Sequence, residues 1–329
     1  MKRSHIIFLI SLCVLLSFVS CEKEITVDLP KIEPKIVIEA TIISEQQPLV
    51  MLTWSQGYFD PTDLNSLQNM FVHDAEVSIS NGTTEYPLEE ICTNELTPEQ
   101  LEFAAQFLGL SVEEIQAYNL CIYTNFMLTG QPGTVYYLKV DYQNHHLTST
   151  TRLPELVYLS NVYFNVISTL PDDSLGFIFG SIADPDTIGN AYRWFAKRIN
   201  SYPNWVPDEE LRGRQKDMGY IAPIGSVIDD AFFNGLEFEF GYYRGTTPNT
   251  TKFDDLNGER GFFKRGDTVA VRGTVVDRNS YKFLYSLETL VSNQGSPFSV
   301  PANLESNVKG GGLGAFIGYG AVYDTVICQ

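Results

Sequence analysis

Histidine, cysteine and paired carboxylates are the groups that most often hold metals or move protons, and this chain of 329 residues uses them sparingly. Of its 4 histidines, His145 and His146 are adjacent, so on a strand they point to opposite faces and cannot share a metal. His73 stands alone in the sequence. There is no His-x-x-x-His, no Cys-x-x-Cys and no Gly-x-Ser-x-Gly, the spacings that bring ligands or a nucleophile together on one local element. We therefore expect no metal site, no cofactor and no catalytic residue. A triad or carboxylate pair built from distant positions would leave no such trace, because it is recognised by geometry.

Other constellations fail on closer reading. Asp254-Asp255-Leu256-Asn257-Gly258 has calcium-loop composition, but placing Gly258 at the loop glycine puts Phe253 at the first ligand position and Lys264 at the last. An Asn-Gly hairpin turn is the better account. The glycine run after Lys309 lacks the Gly-Lys-Ser/Thr order and the following helix of a phosphate loop; its glycines fit a close approach of two backbones or a bend in a sheet. Asp172-Asp173, Asp208-Glu209-Glu210 and Asp229-Asp230 read as separate solvated turns rather than one cation site. What remains is aromatic: 18 Tyr, 21 Phe and 3 Trp. Most will fill sheet cores, whereas Tyr202, Trp205, Tyr220, Tyr242 and Tyr243 lie in or beside long loops, where exposed rings could stack on a glycan or peptide.

The first twenty-one residues decide where the rest must work. Met1-Lys2-Arg3 is basic, Ile6 to Val19 is almost unbroken apolar sequence, and Ser20-Cys21 ends it. The run is too short for a lasting membrane helix and reads as a secretory signal. A small residue directly before a cysteine at such a point resembles the lipobox of bacterial lipoproteins, which makes Cys21 the expected lipidation site and residues 1–20 the signal peptide. Residues 21–34, with Pro30 and Pro34 among charges, form a tether. The formal net charge of −18 grows more negative once Lys2 and Arg3 leave, which disfavours nucleic acid and anionic lipid as partners. Among the remaining cysteines, Cys92 and Cys121 flank a helical insertion. They are either bridged, closing a loop of about thirty residues worth roughly 3 to 4 kcal/mol, or two buried thiols on neighbouring strands. Cys328 is the odd one and is expected to be packed.

The elements are mostly strands. Residues 35–44, 48–55, 75–80, 134–142 and 145–151 alternate partly and are rich in Val, Ile and Thr, with Gly, Pro, Asp and Asn between them. An all-β fold follows, with an immunoglobulin-like β-sandwich over residues 35–153. Thr97-Pro98-Glu99-Gln100 and Ser111-Val112-Glu113-Glu114 carry capping signals for two short helices in an insertion at 97–119. Beyond Pro154 a larger, mainly β domain is expected over 154–329, sandwich or barrel-like, with strands near 156–168, 175–183, 190–200, 236–243, 267–277 and 315–327. It should contain one helix, capped by Asn279 or Ser280, with Phe283, Leu284, Leu287, Leu290 and Val291 on one face. Residues 201–230 show no period, and such a long loop is usually functional or disordered.

These landmarks together resemble a known family. Lys35 to Ala40, Gly57-Tyr58-Phe59-Asp60, Asp74 to Val77, Gly133 to Leu138, Asn190 to Trp194, Phe233-Asn234-Gly235, Ser280-Tyr281 and Pro297 through Gly314, the last with Pro301, Asn307 and Gly310 to Gly314, stand in the order of the DUF4249 family of Bacteroidetes lipoproteins. The helical insertion at 93–120 departs from that pattern. The resemblance implies a lipid-anchored, surface-exposed outer-membrane protein commonly encoded near TonB-dependent receptors, and it brings no catalytic residues. It also implies O-glycosylation at Asp-(Ser/Thr)-apolar triplets, for which Ser174 and Thr187, in turns, are better candidates than Thr268 and Thr325, in strands. The functional expectation is a non-catalytic surface lipoprotein that assists a TonB-dependent transporter in nutrient uptake. A structural or adhesive surface protein is the alternative, and a hydrolase of glycans or peptides is a third.

Overall fold

The computed structural model describes residues 33–57, 69–108, 111–170, 172–206, 209–246, 258–293 and 303–329. Residues 34–329 form one compact unit. Cys21 and the proposed turn at Asn257 lie outside the described residues.

The fold is all-β with few helices. In the first half the strands are β1 (Ile36–Ile43), β2 (Leu49–Trp54), β3 (Glu76–Ser80), β4 (Glu85–Cys92), β5 (Cys121–Thr124), β6 (Val135–Tyr142) and β7 (His145–Arg152). Between β4 and β5 stand helices α1 (Pro98–Leu108) and α2 (Val112–Tyr118). The second half adds β8 (Leu159–Val166), β9 (Leu175–Ala183), β10 (Ala191–Arg198), β11 (Val227–Asp229), β12 (Glu237–Tyr242), β13 (Phe263–Lys264) and β14 (Thr268–Val276). Helix α3 (Arg278–Ser292), β15 (Val308–Lys309) and β16 (Leu313–Ile327) complete the order.

Alternation does most of the work. Ile36, Ile38, Ala40 and Ile42 of β1 are buried, and the same period in β7 buries Leu147, Ser149 and Thr151. Both helix starts in the insertion are capped as the sequence suggests. Thr97 N–H donates to the Gln100 side chain at 2.9 Å, and Ser111 and Glu114 exchange both bonds of a capping box. For α3 the cap is Asp277, not Asn279 or Ser280. Its Oδ1 accepts from Ser280 N–H at 2.7 Å, and its Oδ2 accepts from Arg152 N–H at 2.7 Å. A carboxylate satisfies the cap and the neighbouring strand at once, which moves the helix start two or three residues earlier.

Twelve strands form one sheet in the order β11-β10-β14-β16-β1-β2-β5-β4-β3-β6-β7-β15. Its join is β16, which pairs with β1 in parallel from Val37↔Leu313 to Ile43↔Tyr319 and with β14 antiparallel from Val275↔Gly320 to Thr268↔Ile327. The cores nevertheless separate near Pro154. One is built from residues 36–153 plus Phe316. Two small clusters around Phe71 and Leu101 also belong to the first half, whereas three others, around Trp194, Phe195 and Tyr192, draw almost wholly on residues beyond 154. A second, four-stranded sheet of β8, β9, β12 and β13 packs Ile178, Phe240 and Phe263 on the Trp194 side of β10. Helix α3 covers the opposite, Phe195 side with Tyr281, Phe283 and Leu284.

Candidate functional site

The glycine-rich segment that leads into the start of β16 is where the two halves are sewn together, and it borders a polar cleft. Gly314 has φ +92°, and a Cβ there would stand 2.0 Å from the Ile38 carbonyl oxygen; at Gly310, φ +90°, the same atom would meet the His146 carbonyl oxygen at 2.1 Å. Only glycine lets these backbones approach so closely with such dihedrals. Asn307 fixes the register. Its Oδ1 accepts from Phe316 N–H at 2.9 Å and from Ser149 Oγ at 2.8 Å, while its Nδ2 donates to the Phe316 carbonyl at 2.8 Å. Ser306 Oγ donates to the Gly314 carbonyl at 2.6 Å.

Against this brace lies a cleft of about 340 Å³, lined by Thr148 and Thr150 of β7, Asn279 and Lys282 of α3, and Glu305 and Lys309 of the incoming segment. Its volume is within the range of small-molecule sites, roughly 300 to 1,000 Å³. The lining offers hydroxyl, amide and ammonium groups beside one carboxylate, which is suited to a hydroxylated or amide-bearing ligand. Strand or helix backbone carries all of these groups except Glu305, whose N–H donates to Ser286 Oγ of α3 at 3.0 Å.

The stretch without a period, 201–230, builds a buried ion network instead of a binding loop. Arg198 and Arg244 are fully buried and Asp217 is 1% exposed. Asp217 accepts from Arg198 Nε at 3.0 Å, from its terminal nitrogen at 2.9 Å and from Arg244 at 3.2 Å. Arg198 also donates to Glu259. Lys216 reaches the fully buried Asp267 at 2.6 Å. Burial alone would raise the Asp217 carboxyl, but the charges and hydrogen bonds of Arg198 and the charge of Arg244 outweigh it and hold it below the usual range. Among the described residues three cations face three carboxylates, and these pairings tie the loop to β10, to Arg244 and to the residues before β14. Next to it, burial and then Asp267 push the Cys328 thiol up to about 12, so it is packed and protonated.

The aromatic side chains singled out from the sequence do not assemble. Tyr202 is 4% exposed, with the Lys216 ammonium 5.8 Å from its ring centre. It therefore offers no face to a ligand, because the ion network draws it inward. Tyr242 packs on Trp194 and Phe240, and burial pushes its hydroxyl up to about 12. Tyr220 instead has the Arg272 guanidinium 4.5 Å from its ring centre, and the same guanidinium lies 4.0 Å from the ring centre of Phe195. Trp194 and Phe195 are neighbours on β10 and point to opposite faces, so one ligand cannot touch Tyr242 and Tyr220 together. Tyr243 lies against Phe177 and Phe262. Trp205, 79% exposed, is the one ring of the five that is open to solvent.

Other expected positions are distributed. Cys92 and Cys121 form a disulfide across the paired ends of β4 and β5, at the neck of the helical insertion. The Ser174 hydroxyl donates to Asp172 at 2.6 Å, whereas Thr187 is an exposed loop residue. The carboxylate runs act separately: Asp172 faces Lys264, Asp229 faces Arg278, and Asp230 accepts from Gly189 and Asn190 N–H. His73 is not isolated in space. Its Nδ1 lies 2.6 Å from Glu90 Oε1, a pairing across 17 residues that no local pattern announces.

A family model, described as a domain of unknown function (DUF4249), matches residues 22–323. The chain belongs to the DUF4249 family. The matched span contains the cleft, the glycine-rich brace, the ion network and the helical insertion, so this family membership covers nearly all of the compact unit. No curated protein matches the chain.

Proposed function

We propose that this DUF4249 protein is a non-catalytic lipoprotein of the outer-membrane surface, anchored through Cys21, which holds a glycan or peptide ligand beside a TonB-dependent transporter during nutrient uptake. The observation that carries the binding part is the polar cleft of about 340 Å³ between β7, α3 and the 305–309 segment. The anchoring part is supported by the apolar leader ending in Ser20-Cys21. Association with a transporter is supported by the family resemblance.

Melting curves of the purified protein with panels of oligosaccharides and peptides test the binding reading. A ligand at a hundred times its Kd stabilises the folded state by about 2.7 kcal/mol, which is readable as an upward shift in Tm. The shift should disappear in Lys282→Glu, whose exposed side chain lines the cleft. Panels that leave Tm unmoved, or a shift that survives Lys282→Glu, would remove the cleft from the account. Deletion of the gene in cells grown on the bound nutrient should slow its uptake, and unchanged uptake would count against the transport role.

A further inference from the structure

The disulfide at the neck of the insertion has two further side chains beside it. Glu90 precedes Cys92 by two residues on β4, so both point to the same face, and Cys121 stands directly across from Cys92 on β5. His73 enters from the segment before β3. One donor atom from each of His73, Glu90, Cys92 and Cys121 lies within 4.8 Å of all the others. Tetrahedral zinc with Zn–S bonds near 2.3 Å separates two thiolates by about 3.8 Å. This donor set therefore needs only the two sulfurs to part and all four groups to turn inward by an ångström or so.

The surroundings are those of a supported site. Glu90 Oε2 accepts from Asp74 N–H at 2.8 Å, which fixes the carboxylate. The Tyr123 hydroxyl donates to the Val72 carbonyl at 2.7 Å and accepts from Ala75 N–H at 3.2 Å, so it grips the segment that carries His73 on both sides. Phe71, Met51, Met70 and Leu120 wall the sulfurs off from water. The His73 side chain is 45% exposed and leaves an entry path. Outer partners of this kind orient metal ligands and hold their affinity.

We propose that reduction of the Cys92–Cys121 disulfide converts the neck of the insertion into a site for a thiophilic divalent cation, Zn²⁺, held by Cys92 Sγ, Cys121 Sγ, His73 and Glu90. A dithiol reductant supplies two electrons and two protons to the S–S bond and is itself oxidised to a disulfide. The two thiols then release two protons as they bind the cation. Either cross-link, S–S or S–Zn–S, closes the same loop, so the insertion stays tied to the sheet in oxidising and reducing surroundings alike.

The test uses the full chain, reduced anaerobically with a phosphine until thiol titration finds Cys92 and Cys121 free, with Co²⁺ as the spectroscopic probe. The expected result is one Co²⁺ per reduced chain, with thiolate-to-cobalt charge-transfer absorption and the intense visible bands of tetrahedral cobalt. Zn²⁺ should displace it, and the unreduced chain should give none of these bands. His73→Ala keeps both sulfurs and should bind Co²⁺ at least about tenfold more weakly after the same reduction. Absence of the charge-transfer band, equal affinity in His73→Ala, or loss of the β-sheet circular dichroism signal on reduction with Co²⁺ present would each overturn the proposal.

Discussion

Replacing Asp217 with Asn keeps the shape of the side chain and removes one negative charge from the buried network. Arg198 and Arg244, both fully buried, would then lose the carboxylate that accepts from them both. Breaking a buried ion pair from one side costs about 3 to 5 kcal/mol, because it leaves buried charge less fully compensated and out of reach of water. For a compact unit as long as Pro34–Gln329, each kcal/mol lowers Tm by about 2 °C, so Asp217→Asn should melt roughly 6 to 10 °C below the parent. The pH dependence carries a second signature. The folded carboxyl titrates below its unfolded value of about 3.9, so its stabilisation is present above that value and is lost as pH falls through the lower folded one. Scanning calorimetry from pH 7 to pH 3 should therefore show the difference between parent and variant shrinking at the acid end. Asp172→Asn is the control, since its pairing with Lys264 at 3.4 Å is substantially exposed and is worth at most about 1 kcal/mol. An Asp217→Asn protein that melts within 2 °C of the parent at pH 7 would refute the view that the network fixes this loop.

Three further outcomes follow from the packing. Gly314→Ala forces a methyl group onto the Ile38 carbonyl at positive φ and should cost about 3 kcal/mol or more, read as a lower urea midpoint with little change in slope. Joint replacement of Cys92 and Cys121 by Ser opens a loop with a sequence separation of 29; under oxidising conditions it should lose about 3 to 4 kcal/mol in the same assay. Cys328, with its thiol pushed up to about 12, should resist iodoacetamide at pH 8 in the folded protein and react once urea unfolds it. Mass spectrometry of the modified peptide distinguishes the two states.

Strands such as β1 and β7 were legible because their burial repeats every two residues. Residues 175–183, which coincide with β9, and 315–327, which fall within β16, stood out instead as runs rich in aromatic and β-branched residues that are buried along most of their length. Capping chemistry located α1 and α2 for the same local reason. Short or irregular strands were not legible: β4 carries Pro87 and three glutamates, and β5 has four residues. Partnership across the chain was also hidden, since nothing in residues 313–327 announces a parallel neighbour 276 residues away. The site suffers from the same limit. Asn307 and its glycines stood out as a pattern, yet the cleft beside them is completed by β7 and α3. The loop at 201–230 looked structureless because its order comes from Arg198, Arg244, Glu259 and Asp267, contributed from outside it. His73 looked solitary for an equivalent reason, as its neighbours are 17, 19 and 48 positions away and meet it only after β4 and β5 pair.

The central claim is that this DUF4249 protein works as an anchored partner of a transporter. It is tested most directly by affinity purification from detergent-solubilised outer membranes, with the tag at the C-terminus so that Cys21 remains available for lipid, and with mass spectrometry of everything retained. The account predicts a TonB-dependent receptor in stoichiometric amount, whose cargo then names the ligand of the cleft. Recovery of the protein from the outer membrane with no receptor would contradict it and move the weight to an adhesive role.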